Sequence, residues 1–264
     1  MKRILIFCAA CLMAYTAMAK AKPEIKTVLN YDKNLIIGYT ITYEYPVKDI
    51  ESAILERLGK EGVEGSKKKS FYAFKGIKYN YIWNKTFDMY IQFTGSNNAG
   101  TINLILSQGY DNFIVPSEDP TTTKKTYEWL TSLELDIQNY RYRVAMETHQ
   151  EEYKGIDKEL NKLEKQRANI EKKIKKNADA QLKHEASKTI VNENDLNVDA
   201  KKIEKEEKQA QKLLTEKAEL EEELRKINNK IDNVRSDLNK KMDVISDLEK
   251  EKPQSNTLKN SKKK

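Results

Sequence analysis

Cysteine is almost missing from this chain of 264 residues, and where it does occur narrows the chemistry further. Cys8 and Cys11 are the only two, and both lie within residues 1–19, "MKRILIFCAACLMAYTAMA". Once that stretch is removed, the rest can form no disulfide, thiolate nucleophile or cysteine-ligated metal site. Histidine is nearly as scarce: His149 and His184 stand alone, which excludes a histidine-rich metal centre. Walker-type, G-x-S-x-G and dinucleotide-binding patterns are all absent. The longest apolar run, Ile4 to Met13, falls short of the about 20 residues that a membrane span needs. These absences point away from an enzyme, and no residue is expected to be catalytic, cofactor-binding or metal-binding.

The first residues contain a different signal. Lys2 and Arg3 precede the apolar run, and Ala17 and Ala19 form a small-x-small site, the pattern of a secretory signal peptide over 1–19 cut after Ala19. The expected compartment is the periplasm. Lipid anchoring at Cys11 is disfavoured, because the leucine required three positions upstream is Cys8 here.

A surplus of charge on the folded part is missing as well. The formal charge of +7 includes Lys2, Arg3 and the four lysines of the last twelve residues, "PQSNTLKNSKKK", a stretch without any acid. Lys20 to Gln150 carries 17 basic and 16 acidic residues, and Glu151 to Lys252 carries 25 of each. Nucleic-acid binders normally display a basic stripe on the binding domain itself, so nucleic acid is not the expected partner. The terminal lysines could give weak contact with an anionic membrane, at about 1 kcal/mol each near such a surface.

Glycine and aromatic residues vanish part-way along the chain. No glycine follows Gly155, no aromatic residue follows Tyr153, and no proline lies between Pro120 and Pro253. The composition therefore divides the chain into a signal peptide (1–19), an N-terminal linker (20–33) and an α/β globular domain (34–148). A coiled-coil arm (149–252) with a break near 183–197 and a disordered basic tail (253–264) follow.

Within 34–148 the apolar period is two. Leu35, Ile37, Tyr39, Ile41, Tyr43 and Tyr45 share one face, as do Phe87, Met89, Ile91 and Phe93, and then Ile102, Leu104 and Leu106. "GSNNAG", Gly95 to Gly100, reads as the hairpin turn between the last two strands. "KKKSFYAFKGIKYNYIWNK", Lys67 to Lys85, alternates lysines with rings and could be mistaken for a base-stacking surface. It reads better as a strand with Ile77, Tyr79, Tyr81 and Trp83 on one face and a bulge at Gly76. Val47, Ile50, Ile54 and Leu58 predict a helix after Pro46, and Asp119–Pro120 predicts the cap and first residue of a second, with Leu130, Leu133, Ile137, Tyr140 and Val144 facing the core. The expected class is α+β, a small antiparallel sheet in β-α-β-β-β-α order followed by a long coiled coil.

Two further stripes carry the arm. One runs through Met146, His149, Tyr153, Leu160, Leu163, Ile170 and Ile174, the other through Ile203, Leu213, Leu220, Leu224, Ile227, Ile231, Val234 and Leu238. Lys217 and Lys241 interrupt the second stripe. A bend near Ile190 would fold the arm into an antiparallel hairpin of roughly 80 to 90 Å, pairing Lys250 with residues near Leu130. The alternative is a continuous rod that forms a parallel homo-oligomer.

The candidate polar groups are few. His149 and Glu152 make an H-x-x-E pair on one helix face, but the other ligands that such metal sites use are missing. Asp111, Asn112, Glu118 and Asp119 share one loop, yet their spacing does not match a twelve-residue calcium loop, and turn and capping roles account for them.

"SQGYDNF" followed by "SEDP", after a strand and before a long helix, resembles secreted coiled-coil proteins of Bacteroidota. That resemblance covers most of the mature chain and implies the layout, but no activity. A small β body with long helical arms is also similar to the Skp family of periplasmic chaperones, which would imply a holdase. Coiled-coil regulators of cell-wall hydrolases are a third analogue. The expected function is a non-enzymatic periplasmic protein in which the α/β domain binds or anchors a protein partner in the cell envelope. The arm would act as its spacer or oligomerisation element.

Overall fold

The computed structural model describes residues 24–109, 112–194 and 200–253, with the side chains of 25–27, 187–194 and 200–202 left aside. The architecture is α+β. Contacts divide the chain into two units, one running through Arg143 and the other comprising Val144–Lys252.

The first unit is built on six strands: β1 (Glu24–Tyr31), β2 (Asn34–Tyr43), β3 (Ser66–Lys68), β4 (Phe71–Lys78), β5 (Thr86–Gly95) and β6 (Gly100–Ser107). All pair antiparallel, in the order β1-β2-β6-β5-β4-β3. Helix α1 (Val47–Lys60) connects β2 to β3, and α2 (Pro120–Asn194) begins in this unit. The expected β-α-β-β-β-α order is present with two strands added. β1 occupies residues assigned to a linker; six of its eight residues pair with β2, with a register shift between Lys26 and Leu29, and Leu29 is buried. β3 is three residues of Ser and Lys, too short for any periodicity to show.

The sheet is buried on both faces, which accounts for several departures from simple alternation. Tyr39, Ile41, Tyr43, Met89, Ile91, Ile102 and Leu104 pack beneath Ile50, Ile54 and Leu58 of α1 and Leu130, Leu133 and Ile137 of α2. On the opposite face Leu29, Ile36, Phe71, Ala73, Tyr90 and Ile105 form a second cluster with Tyr31 and Phe113 against it. Tyr31 of one edge strand meets Phe71 at 5.2 Å and Tyr90 at 4.7 Å between ring centroids, although β1 and β4 are four places apart in strand order. The sheet is thus curled: one face is covered by helices and the other closes on itself. Each fully buried apolar side chain contributes about 1.5 to 3 kcal/mol.

Leu35 and Ile37 have the parity of Tyr39, as their spacing requires, but they are 72% and 38% exposed, because β2 pairs with β6 only from Tyr39 onward. Gly38 lies where a Cβ would sit 2.5 Å from the Leu104 carbonyl oxygen, so no larger residue fits at that crossing. Gly76 has φ +61, and the β4–β5 register shifts between Phe74 and Ile77, so the bulge lies where the sequence places it. Its amide donates to Asp88 Oδ1 at 2.7 Å.

The strand expected to continue through Trp83 ends at Lys78. Ile82 N and Trp83 N both donate to the Tyr79 carbonyl at 3.0 Å, closing a turn. That turn exchanges the expected faces: Ile82 is fully buried, while Tyr81 is 63% exposed.

In the second unit α2 runs to Asn194 and α3 spans Ala200–Lys250. Helix therefore covers most of the predicted break at 183–197, including Ile190; residues 195–199 lie outside the described residues. Contacts between the two helices run in opposite senses: Glu152 meets Lys241, Glu164 meets Arg235, and Asn177 meets Glu216. This register sets Lys241 beside His149 and Glu152, further toward the C-terminal end of α2 than a bend at Ile190 would place it. Leu163, Ile170, Ile227 and Ile231 form the buried centre of the seam. The signal peptide expected over 1–19, with Cys8 and Cys11, and likewise Asp111 and the tail beyond Pro253, lie outside the described residues.

Candidate functional site

A concavity in the first unit lies between the outer faces of α1 and the start of α2. Spacing along each helix creates it: Ile50, Ala53, Ile54 and Leu58 turn inward, which leaves Glu56, Arg57 and Lys60 on the flank of α1. On α2 the inward set Leu130, Leu133 and Ile137 leaves Ser132, Asp136 and Tyr140 outward. Together with Tyr81 and Arg143 these enclose about 780 Å³.

Arg57 is the centre of this groove. Its guanidinium donates to Asp136 Oδ2 at 2.6 Å and to Ser132 Oγ at 3.0 Å, and lies 3.5 Å from Glu61 Oε1. Burial opposes its charge, but Asp136, Tyr79 and Glu61 outweigh burial and hold its pKa above the ordinary value. Beneath it, Trp129 Nε1 donates to Tyr79 OH at 2.9 Å, and Tyr79 OH donates to Glu61. Burial and the Glu61 carboxylate raise the Tyr79 pKa, so it remains a neutral donor. The network is satisfied link by link from the indole to Asp136, which fixes the geometry of the floor.

The rim is also organised. Arg143 pairs with Glu56, which accepts from Lys60 at 2.5 Å as well. The Arg57 guanidinium lies 5.9 Å from the Tyr81 ring centroid and that of Arg143 5.3 Å from the Tyr140 ring. Both cations thus lie against tyrosine rings, one of them the exposed Tyr81, and Tyr and Arg are residue types enriched among those that dominate interface energies. For acid–base work the groove is unsuited, because Arg57 already engages Asp136 and Glu61.

The polar residues singled out in the sequence fall elsewhere. His149 Nδ1 lies 3.1 Å from Glu152 Oε2 and 3.2 Å from Lys241 Nζ, so the H-x-x-E pair is tied to a cation from the facing helix. Asp119 caps α2: Oδ1 accepts from Thr122 N at 2.9 Å and Oδ2 from Thr122 Oγ1 at 2.8 Å. Glu118 N and Asn112 N close turns onto Val115 and Gly109. Among the described residues no group of three His, Cys, Asp or Glu side chains is placed to hold a metal ion, and no helix is long and apolar enough to cross a membrane. The Arg57 groove was missed in the sequence. Its one legible trace was the alternation of charge on the outer flank of α1, which is indistinguishable from an ordinary solvated face.

No family model, curated protein or solved structure matches the chain.

Proposed function

We propose that the protein is a non-enzymatic component of the cell envelope whose sheet unit binds a protein partner through the Arg57 groove and whose helix pair acts as a spacer arm. The observation that carries this reading is Tyr81. A tyrosine 63% exposed, held at the lip of a groove by a turn and set beside a fixed guanidinium, is the arrangement of an interface anchor. Export rests on the sequence of residues 1–19 alone. Tyr81→Ala should leave stability within about 0.5 kcal/mol of the parent, because the side chain is largely in solvent. Tagged parent and Tyr81→Ala chains are used to capture partners from the periplasmic fraction. An envelope protein retained by the parent and lost from the variant supports the groove as the docking site; identical captures remove it.

A second reading, a holdase of the kind the Skp family exemplifies, is favoured by Val28, Leu35 and Ile37, three exposed apolar side chains on neighbouring strands. Suppression of the aggregation of an unfolded outer-membrane protein at stoichiometric ratio distinguishes it.

A further inference from the structure

Three non-glycine residues among those described have positive φ, and all three lie in one place. Asp32 (φ +48) and Lys33 (φ +73) form the two-residue turn between β1 and β2; Lys69 (φ +57) opens the two-residue turn between β3 and β4. The turns belong to opposite edges of the sheet, and the curl brings them together, with Lys69 Nζ 2.7 Å from Asp32 Oδ1. Glycine or asparagine adopts such a backbone with little strain, whereas lysine does not. Strained residues of this kind concentrate where a side chain has a use.

Between the turns is a cleft of about 220 Å³. Lys33, Lys68, Asn30 and Ser70 line it with polar groups, and Tyr31 and Phe71 give it an aromatic wall. Lys69 is engaged by Asp32, whose carboxyl is held below its ordinary value by the hydrogen bond and charge of Lys69 and then by Lys68 and Lys33. Lys33 and Lys68 have no ion pair among the described residues. Three lysines against one aspartate leave the cleft with two positive charges to spare.

We propose that the paired turns form a clamp for a phosphomonoester, its dianionic group held by Lys33 and Lys68 with Asn30 and Ser70 as further donors, and its organic body against Tyr31 and Phe71. A phosphomonoester carries about −1.5 to −2 at neutral pH, which matches the spare charge, and offers three acceptor oxygens to donors on several sides. The same chemistry occurs on a free sugar or glycerol phosphate and on a phosphatidic-acid headgroup. The clamp is separate from the Arg57 groove and does not depend on it.

The test uses the full-length chain with glycerol 3-phosphate as probe, followed by calorimetric titration, with glycerol as the uncharged control. The variants are Lys33→Gly and Lys68→Gln, singly and together. The parent should bind the phosphate and not glycerol, and the double variant should bind at least about tenfold more weakly. Lys33→Gly should also raise Tm, since it relieves the left-handed backbone; this shows that lost binding is not lost folding. Co-sedimentation with phosphatidic-acid vesicles, using phosphatidylcholine vesicles as reference, assigns the source. Retention by the parent and loss by the double variant, both of which keep the C-terminal lysines, points to a headgroup; binding of the soluble probe alone points to a free phosphomonoester. No binding by the parent in either arm, or equal binding by the double variant, overturns the clamp.

Discussion

The two units solve the burial problem in opposite ways. In the sheet unit Tyr39, Ile50, Met89, Leu104 and Leu133 have no exposed surface, because helices cover one face of the curled sheet and its other face closes on itself. In the helix unit the best-buried residue is Ile231 at 1%, with Ile170 at 3% and Leu163 and Ile227 at 8 to 9%. Two helices alone can enclose only a line of side chains, and solvent reaches it from both flanks. Polar groups take over where the apolar line fails: Asn177 donates to Glu216 at 3.2 Å, and Gln181 donates to Asn177 at 2.9 Å and to the Leu213 carbonyl at 3.3 Å. Such groups add little stability but penalise any shifted register, which would strand them without partners.

The largest expected effects break this comparison directly. Leu133→Ala removes a fully buried side chain from a closed core and should cost about 3 to 5 kcal/mol, since the surrounding sheet and helix cannot collapse onto the cavity. Ile231→Ala in the open seam should cost about 2 kcal/mol, the low end for such changes, because water and neighbouring side chains can fill the gap. Trp83 and Trp129 both lie in the sheet unit and helix dominates ellipticity, so urea unfolding followed by the two signals separates the units. Leu133→Ala should move the fluorescence midpoint and Ile231→Ala the ellipticity midpoint. Equal movement of both signals in both variants would show a single cooperative unit instead.

Alkaline pH sharpens the same contrast. Burial raises the pKa of Tyr39, Tyr43, Tyr79 and Tyr90, all in the sheet unit. A group whose pKa is higher in the folded state contributes stability that is intact below its unfolded value of 10.0 and is lost as pH rises above it. Each such tyrosine removes up to about 1.4 kcal/mol per pH unit in that range. The tryptophan-reported midpoint should therefore fall steeply above pH 10, ahead of the ellipticity change, because the helix unit has Tyr153 as its sole tyrosine. A flat fluorescence midpoint between pH 10 and 11 would mean that these hydroxyls ionise without unfolding.

What the sequence made legible follows from the range of each signal. Alternation and helical spacing are local, so the strands around Ile41, Ile91 and Leu104, the helix carrying Ile54 and the bulge at Gly76 could all be read directly. β1 could not, because its burial depends on Leu29 meeting Ile36, Phe71 and Ile105 across a curl that no local pattern encodes. The turn at Tyr79–Trp83 was hidden for a related reason: a strand of alternating rings and a turn that buries Ile82 have the same composition. Helix through 183–194 overrode a run of poor helix formers, "KHEASKTIVNEN", as the propensity differences there are only fractions of a kcal/mol per residue. The Arg57 groove needs two helices placed side by side, and their outward faces look solvated when each is read alone.

The smallest expected effect is at the start of α2, where the sequence was most explicit. Asp119 satisfies the Thr122 amide and hydroxyl, and Thr123 Oγ1 donates to the Pro116 carbonyl at 2.7 Å, so the first turn is secured on both sides. The Thr122 backbone hydrogen bond, followed by its hydroxyl, holds the Asp119 carboxyl below its ordinary 3.8. With the folded pKa depressed, the contribution is present above pH 3.8 and disappears as pH falls through the lower folded value. Asp119→Ala should therefore cost about 1 kcal/mol at neutral pH, read by the tryptophan signal, with the deficit shrinking in acid. Asp119→Asn retains a capping oxygen without the charge, so it should lie between the two at neutral pH and show no such acid dependence. If the asparagine and alanine variants were equally unstable at neutral pH, the carboxylate charge at the helix N-terminus, rather than the hydrogen bond, would be what secures α2.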